Sequence, residues 1–275
     1  MFPSGWYMVA VSSGLAPGAS RVDRALGTEF TVTRGRDGSL TVRDAVGRLR
    51  QAHEVNDMVL VWEGDGAPDF TIDPCEELGD RKWTDIRWGR SPVYRTSVVA
   101  VQRDVVDNDH FGPVHHLDQA ETRAHPRGPF LDTVSQGIIN LSRLGGPQLL
   151  GHIRLTGRLH GIGLLTYRTT ITLGIRLRSL VLSAPTPVDA DHVQFHVGVA
   201  VRRIFPGASE LMRASVLASV LNDIRNDAVL WEAPAGAGES AARLPEQARM
   251  FEMFDTWLTQ HLPGAVGSGE GAAPP

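Results

Sequence analysis

Asp104, Asp107 and His110 fall at intervals of three in Asp-Val-Val-Asp-Asn-Asp-His. On a helix that spacing sets two carboxylates and an imidazole along one face. His115 follows His110 at an interval of five, which a straight helix would rotate away, but Gly112 and Pro113 lie between them. Those two residues predict a break that lets the imidazoles meet. Two histidines and one carboxylate, with the remaining positions open, form the facial triad that holds non-haem Fe(II). The third ligand has to come from elsewhere in the chain. Within residues 209–231, Leu217, Val220, Leu221, Ile224 and Trp231 recur at helical spacing and mark a buried stripe. Asp227 falls on that stripe. A carboxylate facing a core needs an arginine, backbone N–H groups or a metal ion beside it, and spacing alone leaves all three open.

The elements that would position these groups are legible as periodicities. Val98, Val101 and Val105 give residues 96–107 a helical period, and residues 119–131, polar and carrying His125-Pro126, read as a loop over the site. From Gly151 onward the period becomes two. Leu165, Tyr167, Thr169, Ile171 and Leu173 alternate with polar neighbours, and Val193, Phe195, Val197 and Val199 alternate with His192, Gln194 and His196. These are half-buried antiparallel strands, with residues 185–187 and 189–191 as the turn between two of them. Nearer the start, residues 28–33 and 40–42 flank Gly35 and Gly38 as a hairpin. Residues 63–74 form a Gly- and Pro-rich loop, Trp83 and Trp88 are core packing, and Met250, Phe254 and Trp257 mark a last amphipathic segment.

A chain of 275 residues with 42% hydrophobic residues can bury one large core or two modest ones. The net charge is −4 and the 27 basic residues are scattered, which gives no nucleic-acid footprint. No apolar run reaches the length of a membrane span, and residues 1–20 lack the pattern of a secretory signal, so a soluble, cytoplasmic protein is expected. Cys75 is the single cysteine, which excludes an intrachain disulfide or a thiolate-rich metal site.

Asp-x-x-Asp-x-x-His-x-x-x-x-His with a distant Asp-x-x-x-Trp resembles the catalytic domain of Rieske non-haem iron oxygenases, in particular the ketosteroid hydroxylase and cholesterol desaturase branch. Gly5-Trp6-Tyr7 is similar to the family's opening strand, and residues 54–62 resemble its strand just beyond the second cluster loop. The resemblance implies an α+β helix-grip (START/Bet v1-like) domain with an antiparallel sheet and a long C-terminal helix. It implies His110, His115 and Asp227 as ligands of a mononuclear Fe(II), and Asp107 as the carboxylate that links this site to a neighbouring subunit's cluster. A homo-oligomer, trimeric as in the family, follows from the same likeness. Asp104 departs from the pattern, since an Asn commonly opens the motif. The family's Cys-x-His and Cys-x-x-His loops, which hold a [2Fe-2S] cluster through two thiolates and two imidazoles, are missing after Ala45. The expected division is therefore residues 1–66 as a truncated Rieske-type β subdomain without cluster ligands, residues 67–262 as the helix-grip domain, and residues 263–275 as a disordered tail.

Around an apolar pocket, Tyr167, His192, Gln194 and His196 are candidate contacts to a hydrophobic small-molecule substrate. For these residues the alternative is that they face water. Asp104 and Asp107 are candidate catalytic carboxylates. Three functions then compete: a redox-neutral cyclisation or isomerisation of a polyketide- or terpenoid-like molecule, an iron-dependent oxidation with electrons from the substrate or an external donor, and ligand binding without catalysis. The first is the leading expectation.

Overall fold

The computed structural model describes residues 2–140, 150–205, 207–232 and 245–262, so the tail expected at 263–275 lies outside the described residues. Six short strands open the chain: β1 (Gly5–Val11), β2 (Ser20–Ala25), β3 (Thr28–Arg34), β4 (Leu40–Asp44), β5 (Ala52–Val55) and β6 (Met58–Glu63). They form two three-stranded antiparallel sheets, ordered β1-β6-β5 and β2-β3-β4. In β6, Met58 to Val61 are buried on both faces, which suits the central strand of its sheet. Residues 54–62 are not the one strand that the resemblance implies. Asn56 and Asp57 take left-handed conformations, with φ of 54° and 63°, and turn the chain into the β5–β6 hairpin. Asn and Asp tolerate that region, and a two-residue turn needs it at both positions.

The larger layer follows the loop at 63–74 and the short helix α1 (Glu76–Gly79). It comprises β7 (Arg87–Arg95), α2 (Val98–Arg103), α3 (Phe111–His115), β8 (Leu117–Arg127), β9 (Phe130–Asn140), β10 (Leu150–His160), β11 (Leu165–Thr172), β12 (Arg176–Pro187), β13 (His192–Val201), α4 (Ala208–Trp231) and α5 (Pro245–His261). Its strands make one seven-stranded antiparallel sheet in the order β7-β13-β12-β11-β10-β9-β8. This is the helix-grip arrangement, with α4 lying across β7 and β13. Gly89 of β7 permits the close approach. A Cβ there would stand 3.0 Å from Leu221 and 3.1 Å from Leu217 of α4.

Three expectations about elements are corrected. Residues 119–131 are not a loop over the site: 119–127 form most of β8 and 130–131 open β9, and Pro126 is tolerated because β8 is an edge strand. Residues 185–187 are not turn residues but the end of β12, which past Ser183 has outrun β11 and keeps β13 as its ladder partner. A missing proline N–H costs little there. The helix over 96–107 is shorter than its valine period predicts. It ends at Arg103, tightens into a 3-10 turn over Asp104–Val106, and breaks at Asp107.

The N-terminal sheets dock on the outside of the large sheet. Thr186 Oγ1 donates to Met8 O at 3.0 Å, and Leu26 N donates to Pro187 O at 2.6 Å. The Trp83 and Trp88 side chains pack against the buried cluster around Met58 and Leu60, as expected. No helix among the described residues is long and apolar enough to cross a membrane.

Candidate metal centre and cavity

Behind the break at Asp107 the chain restarts as α3, with Pro113 in its first turn, where an absent N–H is free of cost. The discontinuity that brings the imidazoles together thus precedes Gly112 and Pro113 rather than falling on them. His116 closes α3 in a left-handed conformation, φ 56°, and points the chain into β8. The ring centroids of His110 and His115 end 5.0 Å apart in an edge-to-face arrangement, with His110 stacked on Phe111. From the opposite side α4 supplies Asp227. One ligand atom from each of His110, His115 and Asp227 lies within 4.8 Å of the others, and His110 and Asp227 are buried.

Asp227 Oδ1 stands 3.0 Å from His115 Nε2 without the alignment of a hydrogen bond, and no other side chain among the described residues bonds it. Among the described residues, no arginine pairs with Asp227. His110 Nδ1 faces Asp107 at 3.9 Å, and His115 Nδ1 faces Asp223 at 3.6 Å. Both contacts have ion-pair range but exceed a hydrogen bond. Burial pushes the His115 imidazolium down, yet the carboxylates of Asp223 and Asp227 outweigh it and hold the group up to about 9. Burial and the neighbouring His115 charge push His110 down. Two largely buried imidazoles, each with a ring nitrogen lone pair to offer, and a buried carboxylate oxygen without a hydrogen-bond partner fit a cation shared by these three residues.

Asp104 lies on the same wall. Trp231 Nε1 donates to its Oδ2, and Trp231 in turn stacks on Phe195 at 5.7 Å between ring centroids. Burial raises this carboxyl to about 7, against the pull of the Trp231 hydrogen bond, with Asp227 and Asp107 adding to the rise. Asp107 is partly exposed, and its Oδ1 accepts from Asp109 N at 3.0 Å.

These groups border a cavity of about 310 Å³ enclosed by α2, α3, α4 and the concave face of the sheet. Its wall is mostly aliphatic, with Ile139, Ile153, Leu155, Ile171 and Val181 among the lining residues, and a few hydroxyls from Thr133, Ser135, Thr169, Ser179 and Ser183. Tyr167 lines it as expected. Burial, with the charges of Asp223 and Asp227, drives the Tyr167 phenol far above its ordinary range and keeps it a neutral donor.

His192, Gln194 and His196 do not line the cavity. The strand period is right but the face is reversed: Phe195 points inward, so its neighbours point outward. His192 pairs with Asp189 at 2.8 Å, and Gln194 donates to Ser91 O at 2.7 Å. His196 is buried opposite Arg90, where burial and the Arg90 charge lower it to about 4. Asp223 and Phe195 are among the cavity residues that the sequence does not single out. The interval of four between Asp223 and Asp227 was a usable signal.

Residues 61–260 match the family model described as the 3-ketosteroid 9α-hydroxylase C-terminal domain. Among solved structures, dicamba monooxygenase bound to 3,6-dichlorosalicylic acid superposes with a TM-score of 0.66 at 12% identity, over 93% of this chain and 97% of that one. NdmB of Pseudomonas putida CBB5 gives 0.63 at 10% identity, over 92% and 89% of the two chains. The terminal oxygenase of carbazole 1,9a-dioxygenase from Nocardioides aromaticivorans IC177 gives 0.56 at 10%, over 93% of each. At such identities the likeness is one of fold. A search of curated proteins finds no match.

Proposed function

The chain belongs to the 3-ketosteroid 9α-hydroxylase C-terminal-domain family of Rieske oxygenase catalytic domains, and on that premise we propose that it is a mononuclear non-haem iron enzyme oxidising a largely apolar small molecule. The observation that carries this reading is the convergence of His110, His115 and Asp227 at the wall of a largely apolar cavity. Dicamba monooxygenase has been solved with non-haem iron and dicamba. Held by His110, His115 and Asp227, Fe(II) would supply the redox chemistry for an O2-dependent oxidation.

The protein's own groups do the rest. The aliphatic walls hold the substrate and exclude water, which strengthens each polar contact inside. The Tyr167 hydroxyl, neutral throughout the working range, donates to a substrate oxygen. Asp104 holds or releases a proton at its carboxyl next to the cavity, and its bond to Trp231 fixes where that proton sits. Asp107 acts through His110 as a positioning residue.

A second reading, redox-neutral cyclisation or isomerisation of a polyketide- or terpenoid-like molecule, is favoured by one observation. Cys75 is the single cysteine of these 275 residues, and a Rieske cluster takes two thiolates. Under either reading we propose that this chain holds no [2Fe-2S] cluster, so that an oxidation draws its electrons from the substrate or from a separate donor. The same reading puts the protein in the cytoplasm as a homo-oligomer. Light scattering checks the assembly.

Fe(II)-loaded protein, screened for turnover of apolar candidates with and without O2 and a chemical reductant, separates the two. Turnover that needs both iron and O2 is expected. Iron-dependent turnover that continues anaerobically would transfer the assignment to the redox-neutral reading, and turnover by metal-free protein would reject the iron site.

A further inference from the structure

We infer that Asp223 is a positioning residue for the metal centre, accepting the Nδ1 proton of His115 so that Nε2 is the nitrogen presented to the ion. This role presupposes that His110, His115 and Asp227 are the ligands.

Asp223 and Asp227 stand one turn apart on the same face of α4, and both line the cavity. The His115 ring lies between the two. Its Nε2 is 3.0 Å from Asp227 and its Nδ1 is 3.6 Å from Asp223, so a single ring spans the two carboxylates. No other group among the described residues bonds that Nδ1, and the atom is buried. The Asp223 side chain is 41% exposed and so retains the rotamer freedom to close the remaining gap.

The arrangement repeats at His110, whose Nδ1 faces Asp107 at 3.9 Å. Each histidine thus has a carboxylate behind Nδ1, and each is left to offer Nε2. A carboxylate in this position fixes the tautomer, orients the ring and raises the basicity of the coordinating nitrogen. Asp107 belongs to the motif segment, whereas Asp223 comes from α4, the helix that also carries the third ligand. The centre is therefore held by two carboxylates from one helix, one for the ion and one for its histidine.

Co(II) titration of the metal-free, full-length protein against a competing chelator tests this role without any need for a substrate. Asp223→Ala is expected to weaken Co(II) binding about tenfold to hundredfold. Asp223→Asn, which keeps an acceptor oxygen without the charge, should fall between Ala and wild type, and Asp223→Glu should recover most of the loss. Circular dichroism of each variant reports folding. If Asp223→Ala does not fold, the Asn and Glu variants decide. Wild-type protein that fails to bind Co(II) would overturn the ligand set, and this role with it. Wild type that binds Co(II), with folded Ala or Asn variants binding equally tightly, would overturn the role of Asp223 alone.

Discussion

The cavity has two walls of opposite character. The helical wall, from α2 through α3 and α4, carries Asp104, His110, His115, Asp223 and Asp227. The sheet wall offers aliphatic side chains, neutral hydroxyls and a phenol that burial keeps protonated. The difference follows from backbone. A strand fixes each side chain to one of two faces at a fixed rise, which makes a smooth bowl but aims few groups at one point. The helical wall is broken into a 3-10 turn, a five-residue helix and a left-handed cap, and those breaks turn His110 and His115 toward α4. Charge is concentrated where the chain can be re-aimed, and shape where it is regular.

The comparison is broken most severely by removing the negative pole of the helical wall. Asp227→Ala is expected to lower Co(II) or Fe(II) affinity by more than about 100-fold and to reduce turnover to that of metal-free protein, because the first coordination sphere loses its only carboxylate. Metal analysis after gel filtration checks it. On the sheet wall, Tyr167→Phe should leave metal affinity within about twofold while lowering kcat/KM about tenfold, the cost of one hydrogen bond of about 1.4 kcal/mol. Parallel titration and kinetics measure the two effects, and a Tyr167→Phe protein that also loses metal would erase the division between the walls.

Histidines outside the cavity sharpen the contrast. Burial lowers His160 and His196 to about 4, and in the unfolded chain both return to the ordinary imidazole range. The unfolded state then binds more protons below about pH 6.5, so each histidine erodes stability as pH falls from about 6.5 to about 4, at up to about 1.4 kcal/mol per pH unit. Urea denaturation of the metal-free protein across that interval should show the fall, reduced by the opposing Asp104 carboxyl, and His196→Gln should make it less steep. The smallest expected effect concerns Asp104. Its folded carboxyl is raised to about 7, so ionising it costs the folded state increasingly as pH rises from about 4 to about 7. Asp104→Asn should therefore stabilise metal-free protein at pH 8 by on the order of 1 kcal/mol, discounted because the group borders the cavity. An unchanged or lowered denaturation midpoint at pH 8 would contradict that burial cost.

Much of this was legible in the sequence, and the failures have physical causes. The stripe through Leu217, Ile224 and Trp231 located α4 and placed Asp227 at the centre, since helical spacing fixes a face. Strand period identified β11 and β13 but left the facing ambiguous. On β13 both faces are buried, one against the cavity and one against the N-terminal sheets, so His192, Gln194 and His196 were placed on the wrong one. The 119–131 segment looked like a loop because an edge strand tolerates proline and charge. Asp223 passed unnoticed because its role depends on His115, which arrives from more than 100 residues away.

Anomalous diffraction at the iron edge from crystals loaded with one equivalent of Fe(II) tests the central claim most directly. A single peak bounded by His110, His115 and Asp227 is expected. A peak bound by other residues, or none in crystals whose solution counterpart binds iron, would contradict it.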